Sequence, residues 1–144
     1  MTKRVARRAE RAGIDWGRDL DKSLLYVITP RDRHFLVRLA REFTISLPTM
    51  MALWAEVLDS GDNRAVRRVL IEGEETARSM RPRDAYKHGE FIAAIERPGI
   101  RAAFCLRGYR VDAVTGVFID SANRGASTVR FFSDAEDARS WLED

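Results

Sequence analysis

Short apolar runs alternate along this chain with longer amphipathic stretches, and the change of period marks the elements. Ser23–Thr29, SLLYVIT, is apolar and rich in strand formers, and Pro30 ends it. Asp32 and Arg33 supply turn chemistry. In His34–Thr44, HFLVRLAREFT, Phe35, Val37 and Leu39 alternate with Leu36, Arg38 and Ala40, the period of a strand. The short link between the two runs predicts an antiparallel hairpin.

The period then changes. Ser46 is a suitable N-cap, and Pro48 fits a first helical turn, where its missing N–H has no partner to lose. Met50, Leu53, Trp54, Val57 and Leu58 recur at spacings of three and four, which predicts a helix over 47–59, with Gly61 placed to cap it. Val66–Glu72 reads as a strand buried on both faces, followed by a polar loop over Gly73–Arg81. Pro82–Ala94 is a weaker helix, anchored by Tyr86, Phe91 and Ile92 and interrupted by Gly89. Arg97-Pro98-Gly99 is a turn, and Ile100–Leu106, IRAAFCL, a second central strand. Val111, Val114, Val117, Phe118 and Ala122 stripe a helix over 111–123, which Gly125 ends as a left-handed cap. TVRFF, residues 128–132, is the last strand. Ser133 and Glu136 have the spacing of a capping box before a final helix over 134–142.

The order β-β-α-β-α-β-α-β-α predicts an α/β domain over residues 23–144. Its sheet is mixed and five-stranded, with an antiparallel N-terminal hairpin, then β-α alternation, and about four flanking helices. Residues 1–22 form a basic N-terminal arm. Lys3, Arg4, Arg7, Arg8 and Arg11 face only Glu10 in the first eleven residues, leaving 20 of the 25 basic residues against 21 of the 22 acidic ones. The net charge of +3 therefore belongs to the arm, which is a candidate contact for anions or nucleic acid.

Composition narrows the function. In 144 residues with 45% hydrophobic side chains there is enough apolar material for one core. One cysteine and two histidines rule out a disulfide framework and a structural zinc site. No apolar run approaches the ~20 residues of a membrane span, and the charged N-terminus does not read as a secretory signal, so a cytoplasmic protein is expected. Fingerprints for dinucleotide binding, phosphate-cradling loops and nucleophile elbows are missing. Cys105 reads as a small buried hydrophobe, His34 and His88 as ordinary surface residues, and Trp54 and Phe118 as core rather than a ligand platform. Neither a cofactor nor a metal is implied. Glu72 and Glu74 follow a central strand. With Tyr109 and Arg110 after the next, they would line a ligand crevice at the carboxyl edge of the sheet.

The C-terminal half, IRAAFCLRGYRVDAVTGVFIDSANRGASTVRFFSDAEDARSWLED, resembles bacterial STAS-like proteins, the domain shared by sulfate transporters and anti-sigma-factor antagonists. The ending RFFSDAEDARSWL is the most specific feature, and HFLVRLAREFTISLPTMMALWAEVL is similar to the family's second strand and first helix. The likeness covers roughly residues 24–144 and is closest to the antagonist-like, STAS/SEC14-type subgroup. It implies a βαβαβα sheet, no cofactor, and a non-enzymatic role in protein interaction or regulation. Phosphorylatable antagonists carry Asp-Ser-Ser/Thr-Gly after the third strand. This chain has EGEETARSMRPRD there, so no phosphoswitch is carried over to Thr76 or Ser79.

The leading expectation is thus a protein-interaction domain with a protein partner, itself a homodimer. Met50, Met51 and Trp54 are the candidate contacts, because the 47–59 helix is apolar over more than one stripe. The alternatives are a nucleic-acid-associated protein acting through the arm, and a small-ligand binder at the crevice near Glu72 and Tyr109.

Overall fold

A computed structural model describes residues 25–60, 67–74 and 77–144. The basic arm, including Lys3, Arg4, Arg7, Arg8 and Arg11, lies outside the described residues, as does Gly61. The elements are β1 (Tyr26–Pro30), β2 (Phe35–Leu39), β3 (Thr44–Ser46), α1 (Leu47–Ser60), β4 (Arg68–Gly73), β5 (Ala77–Ser79), α2 (Pro82–Ala93), β6 (Arg101–Leu106), α3 (Ala113–Ala122), β7 (Thr128–Phe131) and α4 (Ala135–Glu143).

The main sheet has the order β1-β2-β4-β6-β7. β1 runs antiparallel to β2, and every other pair is parallel. From β2 onward each strand is laid beside the previous one in the same direction. Crossovers of one hand then place their helices on one face. Accordingly α1, α2 and α3 bury Met50, Leu53, Trp54, Ile92, Phe118 and Ala122 against Val37, Val69, Ile71, Ala102 and Phe104. The last helix is not a crossover and covers the opposite face, where Ala138 and Leu142 pack on Leu36, Leu70 and Ala103. Arg101 fastens its far end. The guanidinium lies 4.3 Å over the Trp141 ring and donates to the Trp141 carbonyl at 2.6 Å.

The fold class and the five main strands match the sequence reading, with three local corrections. The 34–44 run breaks after Leu39. Ala40–Phe43 forms a turn, and β3 pairs in parallel with β5, a strand inside the supposed polar loop. Three-residue strands are too short to show a period. Capping at α4 shifts by one residue, to Asp134, which accepts from Asp137 N–H at 3.0 Å. Gly125 is not a left-handed cap. A methyl group there would collide with the Ala93 carbonyl, and one at Gly89 with the Ser121 hydroxyl. Both glycines are sites of close approach where α2 meets α3 and the turn after it.

One edge of the sheet is closed by a side chain. Thr128 donates to Ile100, just before β6, and Phe132 to Phe104 within it, so the N–H and C=O of Val129 face outward. The Asn123 amide takes both, accepting from Val129 N–H at 2.7 Å and donating to its carbonyl at 3.2 Å. That blocks strand addition at this point of the edge.

Candidate functional site

At the carboxyl edge Arg38, Glu72 and Cys105 stand in register on the α4 face. The N-terminus of α4 stops beside them. A hollow of about 650 Å³ results, lined by Arg38, Arg41, Glu72, Glu74, Cys105, Arg107, Ser133 and Asp134. Its charges are paired loosely. Arg38 meets one Glu72 oxygen at 3.4 Å, Arg139 the other at 3.6 Å, and Arg41 meets Glu74 at 3.4 Å. The Arg38 and Arg41 side chains are 68% and 76% exposed, so these pairs contribute little to stability and their partners can be exchanged. A second hollow of about 380 Å³ adjoins the first through Arg107 and Ser133. Its other walls are Leu106, Gly108, Tyr109, Val111, Phe131 and Phe132. One groove, charged at one end and apolar at the other, thus crosses the carboxyl ends of the strands.

Cys105 is only half-buried, not enclosed as its apolar run suggests. Burial first, and the Glu72 and Asp134 carboxylates second, push its pKa up. It therefore stays a thiol at neutral pH and is a poor nucleophile.

On the opposite face a polar cluster closes over the core. Asp112 caps α3, accepting from Thr115 N–H at 3.0 Å. Arg78 donates to both Asp112 oxygens, at 2.9 and 2.5 Å, and to the Tyr109 and Thr115 hydroxyls at 3.3 and 3.2 Å. The bidentate guanidinium, then the Thr115 N–H, holds the Asp112 carboxyl well below the usual carboxylate range. Hydrogen bonding to Asp112 raises the Arg78 pKa in turn. The cavity beneath measures only about 30 Å³, room for roughly a water molecule. Aromatic side chains fill the rest. Phe131 stacks on Phe104 at 4.6 Å and on Tyr109 at 5.6 Å, and Phe118 meets Phe104 edge-on at 5.8 Å.

Both histidines depart from the surface reading. His88 is 3% exposed, stacked on Phe118 at 4.1 Å, and its Nε2 accepts from Trp54 Nε1–H at 2.7 Å. That bond requires the neutral ring with its proton on Nδ1. Burial lowers its pKa to about 3. His34 is buried at the start of β2, with its Nδ1 unpartnered among the described residues. Burial lowers its pKa as well. Both rings are therefore neutral at pH 7. Among the described residues no group of His, Cys, Asp and Glu could hold a metal ion, and no helix is long and apolar enough to cross a membrane.

Of the residues singled out in the sequence, Glu72 and Glu74 share the charged hollow. Tyr109 lines the apolar one, but its hydroxyl is turned to Arg78. Arg110 is exposed and lines neither. Met50 and Trp54 are corrected from interface contacts to core, at 1% and 0% exposed, in line with the core reading of Trp54, while Met51 is half-buried. The wide apolar stripe of α1 is used because this helix meets both the sheet and α2. Arg38, Arg107 and Ser133 were not legible as site residues. Only strand register brings Arg38 beside Glu72, 34 positions away.

No family model and no curated protein matches the sequence. Among solved structures, the chain is similar to an uncharacterised protein of the DUF3478 family from Shewanella loihica PV-4, described as having a SpoIIAA-like fold, with 19% identity over 81% of this chain and 91% of that one and a TM-score of 0.43.

Proposed function

We propose that the chain is a non-enzymatic protein-interaction domain and that the carboxyl-edge groove receives a segment of its partner. The observation that carries this reading is the groove's lining. Exposed, loosely paired arginines and carboxylates at one end adjoin Tyr109, Val111, Phe131 and Phe132 at the other. An extended peptide with a charged residue followed by an apolar one matches that sequence of surfaces. The state of the thiol in the groove and of the two histidines elsewhere in the fold argues against turnover. The only thiol is held protonated, and both histidines are buried and neutral.

A photo-crosslinking residue placed at Ser133, in the wall shared by both hollows, tests this in cells that make the protein. Discrete crosslinked protein bands are expected at Ser133 and not at exposed Glu96, near the opposite end of the sheet. Equal bands at both positions, or none at Ser133, would overturn the reading. A small molecule co-purifying with the protein, seen by native mass spectrometry and lost in Arg107→Glu, would replace it with ligand binding.

A further inference from the structure

The N-terminal arm joins the fold at the mouth of the groove. The Leu25 carbonyl accepts from Ala40 N–H at 2.7 Å, and β1 starts opposite Leu39. Residues 1–24 therefore approach at the carboxyl edge, beside Arg38 and Arg41, which line the charged hollow. From there the groove crosses the ends of β2, β4 and β6 to β7, four strand spacings from β1, or roughly 19 Å. Trp16 stands nine residues before Leu25, a reach of about 30 Å in extended chain.

Counted back from Leu25, the arm has the same order as the groove. Lys22, Asp21, Asp19 and Arg18 come first, and Trp16 and Ile14 follow. The groove presents Arg38, Arg41, Glu72 and Glu74 first, and Tyr109, Val111, Phe131 and Phe132 last. Both surfaces mix the two charge signs, so each charge of the arm finds an opposite one among the loosely paired groups. At the far end Tyr109, Phe131 and Phe132 are half-buried and Val111 is exposed, an apolar surface that an indole would cover. The cluster Lys3–Arg11, five cations against Glu10, has no such match.

We propose that residues 14–22 of the chain itself lie in this groove, with Trp16 in the apolar hollow, and compete there with the partner's segment. The proposal rests on the reading of the groove as a peptide-binding surface. A tether this short holds the stretch at roughly millimolar effective concentration, so even a weakly binding arm occupies the groove until a tighter segment displaces it. The arm of a second copy has the same order of residues but no tether.

The test uses the purified full chain with the photo-crosslinking residue at Ser133, irradiated as an equal mixture of unlabelled and ¹⁵N-labelled protein and digested with trypsin. A link from residue 133 to the peptide 12–18, AGIDWGR, is expected within single-isotope pairs only, and not from position 96. Trp16→Ala should cut the linked fraction about fivefold or more, and Trp16→Phe should retain most of it. In cells Trp16→Ala should strengthen the partner bands at Ser133. No link to residues 12–24, mixed-isotope pairs, or a link unchanged by Trp16→Ala would each overturn the proposal. The purified sample holds no partner, so the two readings fail separately. Cellular bands without an arm link would strike the arm and leave the groove its partner. An arm link with no cellular bands, even in Trp16→Ala, would keep the arm contact and strike the partner.

Discussion

The core under α3 and the groove at the carboxyl edge hold the same kinds of residue and use them in opposite ways. Under α3 the polar atoms are consumed inside the chain. His88 Nε2 is held by Trp54, and Arg78 spends its donors on Asp112, Tyr109 and Thr115 at 2.5–3.3 Å. In the groove, Arg38, Arg41 and Arg139 reach their carboxylates only at 3.4–3.6 Å and from largely solvated positions. A hydrogen bond buried at 2.7 Å is costly to leave unmade, whereas an exposed pair can change partner at little cost. Polar residues of the first kind fix the fold, and those of the second remain free to meet another molecule.

The largest effect expected from breaking the packed side is at Phe118. Its ring contacts His88, Phe104 and Phe131 and is 4% exposed. Phe118→Ala should cost about 3–5 kcal/mol in denaturant unfolding, by lost transfer energy and the cavity left behind. A loss under about 1 kcal/mol would mean that this cluster is not the packed centre.

His88 separates hydrogen bonding from packing. His88→Leu leaves the Trp54 N–H buried without an acceptor and should cost about 1–3 kcal/mol at pH 7. His88→Gln, whose side-chain carbonyl can accept that proton, should lose less. Acid adds a second readout. Because the folded pKa is depressed to about 3, the unfolded chain binds the proton first as pH falls below about 6.5. The histidine's share of stability is therefore complete above pH 6.5 and declines from there towards pH 3. In urea titrations over that window the wild type should fall more steeply than His88→Gln. Parallel curves would show that His88 is not buried in its neutral form.

Asp112 contributes in a narrower window. Its folded pKa is lowered, so its contribution is present above the unfolded carboxylate range near pH 4 and is lost below it. Asp112→Asn should lower the Tm at pH 7, and the gap from wild type should close as pH drops through that range. A gap independent of pH would assign the effect to the helix cap alone.

How much of this is legible in the sequence follows the range of the forces involved. β2 declares itself by its alternation, β4 and β6 by the continuous apolar runs that burial on both faces leaves, and the turn before α4 announces a cap, misplaced by one residue, whereas the Asp112 cap of α3 is not singled out. β3 and β5 do not, since three residues carry no period and their pairing joins Thr44 to Ala77 across a helix and a strand. His88 looked like a surface residue because its helix is otherwise polar. Its acceptor role depends on Trp54, 34 positions earlier. Glu72 and Glu74 were readable from their place after a central strand. Arg38, Arg107 and Ser133 join them only through strand register and the placement of α4, which no local pattern encodes.

The smallest effect on stability and the largest on binding should coincide at Arg107, which is exposed and stands in the wall between the two hollows. Arg107→Glu, carrying the crosslinker at Ser133, is the most direct test of the division between packed and available polar groups. The expected result is unfolding free energy within about 0.5 kcal/mol of the parent, as for an ordinary surface change, together with loss of the Ser133 crosslink. A crosslink that survives charge reversal in a protein of unchanged stability would contradict the groove as the binding surface.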